Sequence, residues 1–550
     1  MSLFNSHSSM NGSYGIKALV FLIVLLWCNA IIAQQPTAPN AGNDRRINIK
    51  QANRLNFKKL NDTTDLQILA GNVVVKQQNN TFYCDSAILN QNSNTLEAFG
   101  HVHINNADSV HTYADYLRYI GNDKRAFLRD NVRLTDGKGV LTTPALEYDT
   151  QNKIGTYTQG GKLVNGTTIL TSKEGYYYGQ TRDTYFKKSV LLTNPDYVVK
   201  TDTLLYNTNT TIATFTVPTV ITSGTKKINT TNGYYNLTSK ESYFGKRPII
   251  QDSTSTLIAD ETASNDSTGF AEARGNVIFR DTAQGLAIFA NNVKSNRKAS
   301  SILATQHPVM MVKQSNDSLF VAADTLFSGK LSLLKGIRNV PSVRDSMPPL
   351  DSMTFTKQDS SRDRYFEAYY HVRVFSDSLQ ATSDSLFYSS MDSVFRLITN
   401  PIVWSQNSQI TGDTIYFYTK NKKPERLYVF ENALVLNDVD SSNFFNQIRG
   451  RTLNSYFDSG HINFIHTQGN AESVYYTQDD NKKFIGVDKS SCDIIDTYFR
   501  DQKPYKVIRR SDLKGTFFPM RQVNHEELKL RGFNWQIDKR PKSKYELFGT

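Results

Sequence analysis

From Tyr113 the chain reads YADYLRY, with polar and apolar side chains trading places at every step. A period of two places Asp115, Leu117 and Tyr119 on one side of a strand, and Ala114, Tyr116 and Arg118 on the other. The same order returns as Asp202, Leu204, Tyr206 and as Asp384, Leu386, Tyr388. Related pieces begin at Cys84 (CDSAILN), Thr142 (TTPALEY), Ala323 (ADTLF) and Gly412 (GDTIYFY). Threonine, tyrosine, valine and phenylalanine dominate them, while Gly-Asn, Asn-Asn, Asp-Gly and Asn-Thr fill the gaps. No long stretch after residue 34 carries a helical stripe, so the pattern predicts an almost entirely β chain.

A second mark alternates with the first. An apolar residue follows Gly-Asn or a similar pair at Val73, Val102, Val132, Leu163, Val190, Val220, Pro248 and Val277, and again at Val309, Val340, Val372, Ile402, Ala433 and Ala471. Most neighbouring marks lie 27 to 32 residues apart, with a last step of 38. Each unit of ~30 residues holds at least two short strands and cannot bury its apolar side alone, so units must stack and share a core. The repeated aspartate then reads as a strand-start or turn cap and the repeated leucine as the interior layer.

The organisation follows from where this pattern starts, breaks and ends. Lys17 precedes the apolar run Ala18 to Ala33, which ends in small residues and gives way to polar sequence. It is short beside the ~20 residues of a spanning helix and has the order of a secretory signal peptide, giving a signal segment 1–33, with a retained N-terminal anchor as the alternative. A first β-repeat array is expected over 34–340, a Pro/Ser-rich excursion with Pro348 and Pro349 over 341–363, a second array over 364–490, and a C-terminal capping segment over 491–550. After Ala33 only Cys84 and Cys492 remain; they could pair, but no disulfide framework holds a chain of this size. The spanning strands of an outer-membrane barrel would show ~9–11 residues of alternation, longer than most of these pieces.

Composition removes several functions. The net charge of +12 is mild for 550 residues, and the basic residues do not gather into one block, so nucleic acid is not an expected partner. There is no phosphate loop, Gly-x-Gly-x-x-Gly, His-Glu-x-x-His or paired-cysteine pattern. His101, His103 and His111 lie on and beside one alternating strand, and His461 and His466 lack the spacing of a zinc helix. No pair of carboxylates stands out from the repeated background. The chain reads as a non-enzyme with no catalytic residue, no metal site and no cofactor.

LAGNVVVKQQNNTFYCDSAILN (69–90) followed by LEAFGHVHINNADSVHTYADYLRY (96–119), with AEARGNVIFRD (271–281) and YVFENALVL (428–436), resembles the OstA-like family of Bacteroidetes type. Its relatives include the periplasmic lipopolysaccharide transport protein LptA and the periplasmic domain of LptD. The resemblance implies an all-β fold in which the repeats form an elongated open β-jellyroll or solenoid. It implies a noncatalytic carrier or bridge for lipopolysaccharide, in the periplasm or associated with the outer membrane. Lipid A acyl chains would lie in an apolar groove, where each methylene kept from water contributes ~0.8 kcal/mol. Leu117, Leu204 and Leu386 are the candidate lipid-facing residues. Implied partners are lipopolysaccharide and other lipopolysaccharide transport proteins joined through edge strands, with end-to-end self-association also open to such edges. The competing expectation is a closed β-solenoid with a structural or adhesive role in the cell envelope, its interior filled by its own side chains.

Overall fold

The computed structural model describes residues 45–61, 64–313, 318–340, 363–420, 423–439, 442–458, 461–501 and 503–549. The signal segment 1–33 and all but the last residue of the 341–363 excursion lie outside the described residues. Those described form one antiparallel sheet of 42 strands, with a single short α-helix, Leu331–Lys335.

The chain runs as a ladder of bent rungs. A rung such as Thr64–Gln77 pairs with the next, Asn80–Asn90, from Leu66↔Asn90 to Ala70↔Ser86 and again from Val73↔Cys84 to Gln77↔Asn80, with a register shift between. At the mid-rung shifts two residues take a left-handed backbone: Gly71 and Asn72, Gly100 and His101, Asp130 and Asn131, Lys188 and Ser189, Gly275 and Asn276, Tyr370 and His371, Gly469 and Asn470. The Gly-Asn marks of the sequence are therefore not turns joining strands. They are bulges in mid-rung, where left-handed backbone favours glycine and asparagine and bends the strand. Elsewhere the bend splits the rung in two, as in Ile154–Tyr157 and Gly161–Asn165.

The bend divides every rung between two walls. The first wall carries Val73–Gln77 and its partners, the second Leu66–Ala70 and its partners. The ladder runs on past the excursion, because Thr325–Lys330 pairs with Arg364–Tyr369.

The aspartate triplet is corrected in one detail. Asp115 is left unpaired at the bend while Ala114 and Leu117 both point inward, so Asp115 does not share a side with Leu117 and Tyr119. Its carboxylate instead accepts a hydrogen bond from Asn131 Nδ2 (2.6 Å), in the bulge of the next rung. Asp260 does the same for Asn276 (2.8 Å) and Asp413 for Asn432 (3.1 Å). The repeated aspartates tie successive bends together.

The larger correction concerns openness. An elongated open jellyroll or solenoid was the expectation from sequence, but the walls meet and close on a filled interior, giving a closed, barrel-like shell with flanking strands. Phe82 of the first wall packs on Tyr119 of the second, ring centroids 4.6 Å apart. One apolar cluster runs from Ile47 to Phe244 and a second from Ala259 to Ile465.

The tail after Pro519 does not stop at the last strand. It runs back along the outer face of the first wall. Cross-strand pairing aligns Gln380, Trp404, Gln409, Leu436, Gln447 and Val474 in one outward row. Gln447 accepts from Leu530 N (2.8 Å); Gln409 donates to Asn534 O (2.7 Å) and accepts from Gln536 N (2.8 Å); Gln380 accepts from Arg540 Nε (2.8 Å). Beyond these, Leu547 packs with Val309, Phe320 and Ala322, and Phe548 meets Phe289. This strap leaves Trp404 fully buried although it points away from the shell interior.

Candidate functional site

The interior was the first candidate, and its rows can be followed strand by strand. Leu55, Leu69, Ala87, Ala98, Leu117, Leu128 and Leu146 are successive cross-strand partners on the inner side of the second wall. Leu117 and Leu204 are wholly buried and Leu386 is 2 % exposed. Leu204 sits between Phe186 and Phe215, and Leu386 between Ala368 and Leu397. The three lie in the same layer of the repeat but not in one site: Leu117 and Leu204 belong to the first cluster and Leu386 to the second. Each is packed against the protein's own side chains, and this corrects the carrier reading. No open apolar groove runs along these leucines.

What shuts the first half is a seam that the alternation did not announce. Gln77, Asn106, Asp136 and Asn165 stand at or just past the ends of first-wall strands, 29, 30 and 29 residues apart. Each reaches the end of a second-wall strand. Tyr119 donates its hydroxyl proton to Gln77, whose Nε2 donates to Gly121 O (3.0 Å). Asn106 Nδ2 donates to Thr150 O (2.7 Å) and to the Tyr148 hydroxyl (3.2 Å). Asp136 accepts from Tyr177 (2.9 Å) and Thr208 (2.7 Å), and Asn165 donates to Thr208 O (2.8 Å). The signal was the ~30-residue recurrence of an amide or carboxylate, hidden because such residues also belong in ordinary turns.

The seam's electrostatics follow from burial. Burial opposes ionisation of Asp136, yet hydrogen bonds from Gly139 N, the Thr208 hydroxyl, Lys138 N and Tyr177 outweigh it and hold the carboxyl below its ordinary pKa. Burial pushes the Tyr119 phenol up to about 12, and Tyr177 is raised by burial and then by the Asp136 charge. All three hydroxyl or carboxyl groups stay in their bonding forms across the neutral range.

Past Asp136 and Asn165 the seam is not continued by the corresponding aspartates. Asp252 and Asp281 accept from their own wall, from Thr225 (2.6 Å) and from Ala283 N (3.0 Å). Here the two apolar clusters part, and a cavity of about 450 Å³ opens between the walls. Ile250, Leu257 and Phe279 line it from one side, and Phe244, Val293 and Ile302 from the other. Arg364 stands at its rim, engaged by Ser300 O (3.1 Å) and Ser328 Oγ (2.9 Å). Its lining also carries Lys226, Asp252, Asp266, Glu272 and Arg297, with Arg297 and Asp266 paired at 3.5 Å, so chemically it offers an apolar space with a charged and polar rim.

Other chemistry-bearing residues lie at the bends and on the surface. Cys84 and Cys492 are free and buried, each in the small-residue position inside a bend; burial, followed by the Asp85 charge, pushes the Cys84 thiol up to about 12. His101 pairs with Asp85 at 2.8 Å, and His103 with His111 at 3.0 Å. Among the described residues no group of three or more His, Cys, Asp or Glu side chains could hold a metal ion.

The sequence of the first rungs matches a known family. Residues 44–202 match the family described as OstA-like protein. The chain carries an OstA-like domain. A search of curated proteins finds no match. The OstA-like domain covers the rungs up to Asp202, including Gln77, Asn106, Asp136 and Asn165 of the seam but not their partner Thr208, and the later rungs repeat its bent geometry with the strap added.

Proposed function

We propose that this OstA-like protein is a noncatalytic structural element of the cell envelope, a closed β-shell that sets a fixed span and offers attachment at its ends. The observation that carries this reading is the seam, which joins the walls over an interior filled by the protein's own side chains. A stacked ladder supports a spacer role, since its length grows by a fixed increment per rung and each rung is held by its neighbours. The apolar segment before Ala33 supports export, and the reading sets the shell in the periplasm or against the outer membrane.

Photo-reactive residues at Leu117, Leu204 and Leu386, tested one at a time in living cells, check the reading. A structural shell gives only intramolecular products at these positions. Adducts with an envelope lipid at interior positions, absent at the outward neighbours Tyr116, Leu205 and Phe387, would overturn it.

A further inference from the structure

Over its later rungs the second wall carries arginines that face away from the interior and are buried all the same. On strands Val394–Ile398, Thr414–Lys420 and Lys423–Phe430, the residues Leu397, Ile415, Leu427 and Val429 belong to the interior cluster. The alternate residues face outward: Arg396 pairs across to Tyr416, and Tyr418 to Val394 on one side and Arg426 on the other. Arg396 is nevertheless 0 %, Tyr418 3 % and Arg426 5 % exposed.

The two guanidinium groups differ in how they are compensated. Arg396 pairs with Asp392 and donates from Nη1 to Val394 O (3.1 Å). Arg426 lies over the Tyr418 ring, its Cζ 4.4 Å from the centroid, and forms no ion pair with a carboxylate among the described residues. Its Nε and Nη2 have no hydrogen-bond partner among those residues, and neither do Arg396 Nε and the Tyr418 hydroxyl. Burial raises the pKa of Tyr418, so its oxygen keeps a proton to donate at neutral pH. Nε and Nη2 are the side-on edge of a guanidinium, the fork that takes two oxygens of one oxyanion. A buried cation and donors without acceptors destabilise a fold unless an anion compensates them.

We infer that this patch is a binding site for one tetrahedral oxyanion, a phosphate or phosphate ester, held by the Arg426 fork, Arg396 Nε and the Tyr418 hydroxyl. Because Arg426 lies over the face of Tyr418, its fork and the phenol hydroxyl lie in different planes. A tetrahedral group presents lone pairs in three dimensions, whereas those of a carboxylate lie in one plane. The surrounding aromatic side chains Tyr416 and Tyr428 keep water out and so strengthen the attraction between fork and anion. The site lies outside the walls and is independent of whether the shell is a spacer.

The test uses the full chain, refolded from urea in sodium chloride and titrated with radiolabelled inorganic phosphate at fixed ionic strength, with the urea unfolding midpoint followed in parallel. Phosphate binds saturably, one per chain, and the midpoint rises with it. Arg426→Met and Arg426→Lys each weaken binding by about tenfold or more, since both lose the fork. Arg426→Met is at least as stable as wild type in chloride, because it removes an uncompensated buried cation. Tyr418→Phe keeps the packed ring, weakens binding severalfold, and serves where an arginine variant does not fold. Lys162→Met, at an exposed cation elsewhere, leaves binding unchanged. Competition by glycerol 3-phosphate assigns the site to an esterified phosphate and competition by unlabelled inorganic phosphate alone assigns it to the free ion; both support the proposal. Absence of binding to wild type, a salt effect that does not saturate and persists in Arg426→Met and Tyr418→Phe, or equal competition by acetate overturns it.

Discussion

Single residues in this protein act mainly through the bends and the seam. Asp136 is the clearest case, since Asp136→Ala leaves two hydroxyl groups and two backbone amides without their acceptor. The expected loss is about 2–3 kcal/mol at neutral pH, measured by denaturant unfolding. The carboxyl's pKa is depressed on folding, so its contribution is fully present above the unfolded value near 3.8 and fades as pH falls through the lower folded value. The gap between wild type and Asp136→Ala therefore narrows below pH ~4, and a gap that stays constant to pH 2 would contradict the assignment. At a bend, Gly275 has φ +71°, and an added Cβ would lie 2.4 Å from the Asp260 carboxylate. Gly275→Ala is expected to cost roughly 1–3 kcal/mol, whereas Ala→Gly changes on exposed strand positions cost less.

The sequence made some of these residues legible and hid others. Gly71, Gly100 and Gly275 stood out because left-handed backbone restricts the residue choice, and the restriction recurs with the rung. Leu117, Leu204 and Leu386 were readable as an interior layer, because a half-buried strand imposes a period of two. Whether that layer was open or filled was not readable. Closure depends on Gln77, Asn106, Asp136 and Asn165 reaching across to the other wall, and a strand pattern holds no information about what lies opposite across a fold.

At the scale of elements, the C-terminal strap is the addition that alternation could not foretell. Residues 520–548 have no period of two, because they contact the wall through backbone groups held by Gln447 and Gln409 and through the Arg540 side chain on Gln380. The consequence was visible in the strands beneath. In Ile402–Ser405 all four residues are buried, and in Ala433–Asp438 the first four are, so both faces of this wall are covered. Leu528→Ala with Leu530→Ala should loosen the strap at its anchor on Val474 and Val487. Hydrogen exchange of residues 402–411 and 433–438 is expected to accelerate, with residues 95–135 unchanged. Unchanged exchange beneath the strap would show that it adds no protection.

For the whole molecule, a ladder whose rungs touch only their neighbours transmits destabilisation over short distances. The interior also parts between Phe244 and Ala259. Leu117→Ala, at a cost of about 2–5 kcal/mol, should lower the unfolding midpoint of the first cluster while the second keeps its own. Leu386→Ala should do the reverse. Calorimetry resolving one transition that shifts equally in both variants would show a single cooperative unit instead.

The returning strap also fixes how the molecule bears mechanical load. It brings Phe548 beside Phe289, so the strap's last described residues lie near the middle of the ladder and not at its far end. A pull between Phe548 and the first rungs first meets the strap, whose contacts with Gln380, Gln409 and Gln447 release one after another, as a zip opens. The strap then behaves as a slack reserve: under tension the chain lengthens by peeling it away before any rung of the shell is stretched.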